Sequence, residues 1–288
     1  MISLLLSGCS INLGSLTPSS SPEAEPAKPA SPRNIASLTE TIRSNPDDPR
    51  AYNRRGMLLA QAGKTDEAMA DFDKAISLDA NFGKAYANRG KLHWEAAHLD
   101  QAMADYEHAI ALDAGDAAAH LGRGLVHGAR GEPVQALEDF NEAIVLAPDD
   151  AEAYYNRGLL YQSEGQHLNA IADFTTASGL VPQHAEPLLA RAQSYLALDR
   201  AREAAADLDE AVQDGPQNVQ TWIARGQAYE RLGDKAKAAV SYSRAVNLRP
   251  RDEAAQAGLA RVGGRARPSY DLTAQRRQPD PERNMPRN

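Results

Sequence analysis

Residues 83–116 read GKAYANRGKLHWEAAHLDQAMADYEHAIALDAGD, and residues 117–150 read AAAHLGRGLVHGARGEPVQALEDFNEAIVLAPDD. The two stretches align without a gap. Each has Arg-Gly at its seventh and eighth positions, Ala at its twentieth and twenty-seventh, and an aromatic residue at its twenty-fourth. Largely the same pattern continues in both directions, so that six blocks of 34 residues run from Pro49 to Asp252. A fixed period of this length predicts stacked helical hairpins, each burying its apolar side against its neighbours.

Small residues recur at fixed positions of the blocks. The eighth position holds Gly56, Gly90, Gly124, Gly158, Ala192 and Gly226. The twentieth and twenty-seventh positions are alanine in every block. Small residues let two antiparallel helices approach closely, and the large residue at the twenty-fourth position fills the space beside them.

This pattern resembles the tetratricopeptide repeat family. The resemblance covers 204 of the 288 residues, namely residues 49–252. It implies an all-α fold, a right-handed α-solenoid of stacked helix-turn-helix hairpins. An array of this kind is a binding surface rather than a catalytic pocket. No nucleophile–base or phosphate-loop motif stands out from the repeat, so we expect neither enzyme activity nor a cofactor.

The segments on either side of the repeats are predicted to be caps. Residues 34–48 place Ile35, Leu38 and Ile42 at helical spacing, and we expect them to form the second helix of a half repeat. Residues 253–262 are expected to form the closing helix. A stacked array needs such ends, because a terminal repeat has no neighbour to cover its apolar side.

The first nine residues, MISLLLSGC, end in a sequence that resembles a bacterial lipobox. In that family the leader is cut before the cysteine, which then carries acyl chains, so Cys9 is the predicted lipid-attachment residue. More than one acyl chain gives stable anchoring. Residues 1–9 are then a truncated lipoprotein signal, and residues 10–33, rich in Pro and Ser, a disordered linker. Ser10, rather than Asp, after the cysteine resembles a signal for the outer membrane.

Charge and cysteine content exclude several classes of site. The formal net charge is −8, and the predicted disordered tail, residues 263–288, carries six Arg against two Asp and one Glu. The rest of the chain is therefore acidic and offers no basic stripe to neutralise phosphates, so we expect no nucleic-acid partner. Cys9 is the one cysteine, which excludes a disulfide within the chain and a thiolate metal site.

Charged residues of opposite sign recur at the seventh and twenty-third positions. Antiparallel helices joined near the fifteenth position bring the two together, which predicts a structural ladder of Arg–Asp pairs. The arginines are Arg55, Arg89, Arg123, Arg157, Arg191 and Arg225. The aspartates are Asp71, Asp105, Asp139, Asp173 and Asp207. The sequence leaves open whether each Arg meets the Asp of its own repeat or of the preceding one. A basic stripe for an anionic ligand is the alternative.

In the family, the first helix of each repeat lines a concave face through positions 2, 5, 9, 12 and 13. In this chain the middle of that stripe is apolar and its flanks are polar, and an exposed apolar area commonly marks a binding site. The predicted partner-binding groove comprises Trp94, Leu121, Leu125, Tyr155, Leu159 and Leu189. The alternative is that these residues pack on one another. His93 and His127 share the eleventh position, usually a core position, so no metal site is expected.

These features predict an envelope-anchored scaffold that holds a protein or peptide partner in its concave groove. The resemblance to bacterial repeat lipoproteins extends this to scaffolding of cell-envelope enzymes, at the outer membrane and facing the periplasm. The alternative is a cytoplasmic adaptor without a lipid anchor.

Overall fold

A computed structural model of the protein describes residues 31–263. Within that range the chain forms fourteen α-helices and no strand. They divide into two compact units that separate between Pro182 and Gln183. The first unit contains α1 (Pro32–Ser44), α2 (Pro49–Gln61), α3 (Thr65–Leu78), α4 (Gly83–Glu95), α5 (Leu99–Leu112), α6 (Ala117–Ala129), α7 (Pro133–Leu146), α8 (Ala151–Ser163) and α9 (His167–Leu180). The second contains α10 (Ala185–Ala197), α11 (Ala201–Asp214), α12 (Val219–Arg231), α13 (Lys235–Leu248) and α14 (Glu253–Arg261).

Consecutive helices pair as hairpins. In the first unit the pairs are α2 with α3, α4 with α5, α6 with α7, and α8 with α9. In the second unit they are α10 with α11 and α12 with α13. Within each unit, the first helix of a hairpin contacts both helices of the hairpin before it. The all-α fold of stacked hairpins expected from the sequence is therefore confirmed.

The residue before a first helix caps that helix at five of seven starts, the exceptions being Phe82 and His184. The N–H of Arg50 donates to Asp48 Oδ1 at 2.9 Å, and the N–H of Ala119 donates to Asp116 Oδ1 at 3.0 Å. A side-chain acceptor here satisfies an N–H that lacks a partner within the helix. Asp150, Asn218 and Asp252 make the same kind of bond.

The alanines at positions 20 and 27 lie at the centre of each hairpin, and none exposes more than 1% of its surface. Beside them, the ring at position 24 lies against the glycine at position 8. A Cβ on Gly56 would stand 2.6 Å from the ring of Phe72, and one on Gly158 would stand 2.7 Å from Phe174. Real Cβ atoms do not approach so closely, which explains the glycine in four of the six blocks; at Gly90 a Cβ would stand 3.2 Å from the Tyr106 ring.

Two end helices occupy the expected cap segments with different bounds. α1 begins at Pro32, so Pro32 and Arg33 are helical and not part of the predicted linker. The reason is local: the N–H of Asn34 donates to Ser31 Oγ at 3.2 Å, and a proline in the first turn loses no intrahelical bond. α1 packs on α2 and buries Ile42, as a half repeat should.

The predicted signal with Cys9, the linker as far as residue 30, and the tail from residue 264 lie outside the described residues. Between residues 31 and 263, no helix combines the length and the apolar character needed to cross a bilayer.

Candidate functional site

The first helices of the first unit lie side by side, since α2 contacts α4, α4 contacts α6, and α6 contacts α8. Residues three or four apart share one side of a helix. Positions 2, 5, 6, 9 and 12 therefore form one surface, which we call the first-helix face. It comprises Arg50, Asn53, Arg54, Met57 and Ala60 of α2, Lys84, Ala87, Asn88, Lys91 and Trp94 of α4, Ala118, Leu121, Gly122, Leu125 and Gly128 of α6, and Glu152, Tyr155, Asn156, Leu159 and Gln162 of α8.

The apolar middle of the first-helix face is largely buried. Leu121 and Leu125 each expose 7% of their surface and Tyr155 exposes 8%. The two leucines pack with Phe140 in one cluster, and Trp94 lies against it. The exposure expected for these three residues is therefore wrong. The two leucines are buried in that cluster, and the centroid of the Tyr155 ring lies 5.8 Å from that of the Phe174 ring.

The other predicted groove residues keep some accessible surface. Trp94 and Leu159 are half-buried and belong to the first-helix face. Leu189 is also half-buried, but it lies in the second unit and packs against that unit's core cluster. Contact of any of the six with a partner stays a prediction.

The first five ladder arginines each pair with the aspartate of their own repeat, one of the two pairings that the sequence left open. Arg89 Nε donates to Asp105 Oδ2 at 2.8 Å, and Arg89 Nη2 donates to Asp105 Oδ1 at 2.7 Å. The same two-bond geometry joins Arg55 to Asp71, Arg123 to Asp139, Arg157 to Asp173, and Arg191 to Asp207. The hydrogen bond to the carboxylate is the main cause that raises the pKa of Arg89, so the guanidinium stays charged.

A third bond of the guanidinium reaches the preceding repeat. Arg89 Nη1 donates to Asp73 at 2.6 Å, and Arg157 Nη1 donates to Asn141 at 2.7 Å. Arg225, whose own repeat has Ser241 in place of the aspartate, donates to Asp209 at 2.7 Å. In each case the acceptor residue occupies position 25 of the preceding repeat. The sequence analysis did not predict this contact. These arginines therefore join adjacent hairpins, and their engagement argues against the stripe for an anionic ligand.

A row of polar groups crosses the first-helix face at the sixth position. In three of the four repeats it is a side chain of that position: Arg54, Asn88 and Asn156. The third repeat has Gly122, and a Cβ there would lie 2.6 Å from the hydroxyl oxygen of Tyr106. Tyr106 comes from α5 and is 3% exposed, and burial raises the pKa of its phenol. The space beside Gly122 in the third repeat is thus occupied by a buried ring from a neighbouring helix.

The sequence contained a signal for this arrangement of a tyrosine beside a glycine. Tyrosine stands at position 24 only in Tyr106 and Tyr242, and glycine stands at the sixth position of the following segment in both cases. In the second unit, a Cβ on Gly258 would lie 2.4 Å from the Tyr242 ring. Tyr242 donates its hydroxyl proton to Glu230 at 2.7 Å. A phenol at position 24 and a glycine at position 6 therefore form a pair.

Glu152 is the second residue of the fourth repeat and is the one acidic residue among the positions that define the first-helix face. Burial raises the pKa of its carboxyl to about 7, while the charge of Lys91 acts in the opposite direction and that of Asp150 adds to the rise. Near neutral pH this carboxyl is therefore present in both protonation states.

Glu152→Gln should stabilise the protein at high pH only. The folded-state pKa of about 7 lies above the reference value of 4.5. The folded state therefore holds a proton that the unfolded state releases, and the free energy of unfolding falls as pH rises between these values. We expect a gain on the order of 2 kcal/mol at pH 8 and almost none at pH 4.5, from thermal or urea denaturation. Glu142→Gln, on an exposed site of α7, is the control; an equal gain at both pH values would contradict the ionisation argument.

No group of three or more His, Cys, Asp or Glu between residues 31 and 263 is arranged to hold a metal. His93 is half-buried, and burial lowers its pKa. His127 lies within hydrogen-bond distance of Glu132.

Family models for the tetratricopeptide repeat match the chain in succession. Three models described as tetratricopeptide repeat match residues 49–82, residues 83–116 with 151–184, and residues 189–261. A fourth, described as TPR repeat, matches residues 129–165. The chain belongs to the tetratricopeptide repeat family. The matches span most of the hairpins of this tetratricopeptide repeat (TPR) protein, and no curated relative matches its sequence.

Several solved structures share the TPR fold. One chain of the APC/C hetero-tetramer Cut9–Hcn1 is 18% identical, with a TM-score of 0.69; the match covers 80% of this chain and 46% of that one. PilW, a widely conserved type IV pilus biogenesis factor, is 16% identical with a TM-score of 0.66, over 73% and 98%. YrrB, a TPR protein with an unusual peptide-binding site, is 24% identical with a TM-score of 0.51, over 65% and 96%. This chain thus spans less than half of the matched chain of Cut9–Hcn1. At such low sequence identities, the similarity to these structures supports a shared fold and nothing further.

Proposed function

We propose that this TPR protein is an envelope-anchored scaffold that holds a protein or peptide partner on the first-helix face. A role as a protein–protein interaction scaffold is what the repeats and the similar TPR structures support. We choose the first-helix face as the binding surface because of its composition. Half-buried Trp94 and Leu159 lie on the same face as exposed Arg54 and half-buried Asn88 at the sixth position, whereas Asn156 of the fourth repeat is buried. Apolar area with polar groups beside it suits a peptide that needs both burial and hydrogen bonds.

The envelope part of the proposal rests on the sequence around Cys9. A diacylated cysteine there, followed by residues 10–30 as a spacer, would tether the repeats to the outer membrane on its periplasmic side. PilW, whose name places it in pilus biogenesis, is similar in fold over 73% of this chain, which agrees with an envelope role without assigning one. We propose a cell-envelope enzyme, such as a hydrolase or protease, as the partner; a cytoplasmic adaptor is the alternative.

Site-directed photo-crosslinking in the native host tests the binding surface. A photoreactive residue at Leu159, on the first-helix face, should trap a specific partner. The same residue at Val145, which is 73% exposed on α7, should trap none or a different set. If both positions gave the same crosslinked products, the partner would bind at a surface other than the first-helix face. Mass spectrometry of the Leu159 product identifies the partner.

Membrane fractionation tests the anchor independently. With its native upstream sequence, the mature chain should begin at Cys9 and carry lipid, as read by intact mass. Cys9→Ser should move the protein to the soluble envelope fraction with its helicity unchanged. A wild-type protein that stays soluble and keeps Met1 would favour the cytoplasmic adaptor, whatever the crosslinking shows.

A further inference from the structure

The third repeat differs from most of the others in what lies beside its ladder arginine. In four of the six repeats an aromatic ring at position 4 lies over the guanidinium at position 7, and in the fourth and sixth repeats a second ring, at position 11, also lies there. The distances from Cζ to the ring centroid are 5.8 Å for Arg55–Tyr52, 5.5 Å for Arg89–Tyr86, 5.7 Å for Arg157–Tyr154, 5.9 Å for Arg157–Tyr161, 5.7 Å for Arg225–Trp222 and 4.9 Å for Arg225–Tyr229. The third repeat has histidine at both positions, and no phenyl, phenol or indole ring at either.

The two histidine rings of the third repeat are held by other groups. His120 Nδ1 lies 3.2 Å from Asp139 Oδ1, and His120 Nε2 lies 3.2 Å from the carbonyl oxygen of Ala114. His127 Nδ1 lies 2.5 Å from Glu132 Oε2. Between α6 and α7 there is an open groove with a volume of about 440 Å³, which we call the third-repeat groove. Its lining includes His120, Arg123 and His127 of α6 and Glu138, Asp139 and Glu142 of α7.

Arg123 has binding capacity left in this groove. Its Nε and Nη2 both donate to Asp139, as in the other ladder pairs. Its Nη1, unlike Nη1 of Arg89 and Arg157, makes no hydrogen bond with any residue between 31 and 263. The Arg123 side chain is 26% exposed, compared with 15–23% for the other five ladder arginines. The guanidinium therefore offers accessible surface and a free NH₂ group.

The α7 side of the groove is acidic. α7 contains three Asp or Glu and no Lys or Arg. Glu138 and Glu142 are both exposed, and neither forms an ion pair within residues 31–263. Val134 and Val145, 65% and 73% exposed, stand four residues before Glu138 and three after Glu142, so the four residues share one side of α7. Two unpaired carboxylates between exposed valines favour a cationic ligand that also brings apolar surface.

The third-repeat groove is separate from the first-helix face. With 3.6 residues per turn, positions 4, 7 and 11 of α6 lie on the other side of the helix from positions 5, 9 and 12. The groove is completed by α7, which contributes nothing to the first-helix face. A partner bound on that face therefore leaves the groove open.

We propose that the third-repeat groove is a second docking site, which takes an aromatic side chain of a partner polypeptide together with an adjacent lysine or arginine. The ring lies over the guanidinium of Arg123, as Tyr154 lies over Arg157 in the next repeat. The adjacent cation is attracted by Glu138 and Glu142, and a backbone carbonyl of the same segment can accept from Arg123 Nη1. The inference goes beyond the proposed function, because it concerns a different surface and a ligand of opposite charge to those carboxylates.

Fluorescence anisotropy with defined peptides tests the proposal on the full chain. The probe is a labelled, acetylated and amidated twelve-residue peptide of Gly and Ser with Arg-Tyr-Arg at its centre. A second peptide has Arg-Ala-Arg at its centre, and a third has Glu-Tyr-Glu. We expect the probe to bind at least about fivefold more tightly than either of the others, since it alone combines the ring with the cations.

A variant that fills the groove tests the place of the ring. His120→Tyr with His127→Tyr recreates the pair of rings that the fourth repeat has in Tyr154 and Tyr161. The probe should bind this variant at least about fivefold more weakly, although every acidic residue of the groove is retained. Circular dichroism and urea denaturation check that the variant is folded.

Matched charge variants test the place of the cation and do not depend on the tyrosine variant. Glu138→Gln with Glu142→Gln should weaken binding of the probe at least about fivefold. Glu210→Gln with Asp214→Asn makes the same change of net charge at exposed sites of α11, also four residues apart, and should change binding less than about twofold.

Three results would overturn the inference: equal binding of the Arg-Ala-Arg peptide, unchanged binding of the probe to a folded His120→Tyr with His127→Tyr protein, or equal loss in the two acidic double variants. A wild-type dimer in analytical ultracentrifugation that Glu138→Gln with Glu142→Gln dissociates would also overturn it, because the occupant would then be a second copy of the chain. The crosslinking at Leu159 reports on the first-helix face independently of these outcomes.

Discussion

Asp105→Ala is expected to lower the free energy of unfolding by about 3 kcal/mol. Asp105 is buried and accepts two hydrogen bonds from Arg89, so its loss leaves a half-buried guanidinium with only its bond to Asp73. Removing one partner of a buried ion pair costs more than the pair contributes, because the remaining charge is uncompensated. Urea denaturation followed by circular dichroism measures the change.

Asp73→Ala supplies the control for this ladder prediction. Its side chain also binds Arg89, but it is 57% exposed, so its loss should cost under about 1 kcal/mol. If the two variants were equally destabilised, burial would not be what gives the ladder its strength. Because Arg89 joins two hairpins, Asp105→Ala should also speed hydrogen exchange in α3, not only in α4 and α5.

Periodicity made most of the fold predictable. The alanines at positions 20 and 27 and the Arg–Asp pairs depend on spacing within one hairpin, and 34-residue repetition fixes that spacing. Helix boundaries were predicted less well where a capping hydrogen bond determines them. At Ser31, the hydrogen bond with Asn34 starts α1 earlier than the apolar pattern suggests.

The candidate site was harder to predict, since it depends on distances between repeats. Leu121 and Leu125 occupy face positions in the family pattern, but the approach of neighbouring helices buries them. The bond from Arg89 to Asp73 and the bond from Asn88 to Asn53 both cross between repeats. A one-repeat pattern contains no information on which side chains meet across that gap.

Tyr106 shows how the space between neighbouring repeats limits which side chains fit there. Its ring lies between Gly90 of its own repeat and Gly122 of the next, where added Cβ atoms would stand 3.2 Å and 2.2 Å from ring atoms. The ring is therefore held on both sides and cannot retreat from a new side chain at Gly122. In the following repeat, Phe140 and Asn156 occupy the corresponding positions, so phenylalanine and asparagine are compatible there.

Gly122→Asn is expected to lower the free energy of unfolding by about 3 kcal/mol, because its Cβ would overlap the Tyr106 ring. Tyr106→Phe together with Gly122→Asn should recover most of that loss, since it recreates the pair formed by Phe140 and Asn156. Gly128→Ala, in the same helix with nothing within 4 Å of its Cβ, should instead stabilise the chain by about 0.5 kcal/mol through helix propensity.

A double-mutant cycle measured by urea denaturation decides whether Tyr106 is the cause. The single and double variants should be non-additive by more than about 1 kcal/mol, because the two side chains compete for one space. Additive effects, or a Gly122→Asn protein as stable as the wild type, would show that the α5–α6 gap adapts. The Tyr106 ring would then not be what requires a glycine at position 122.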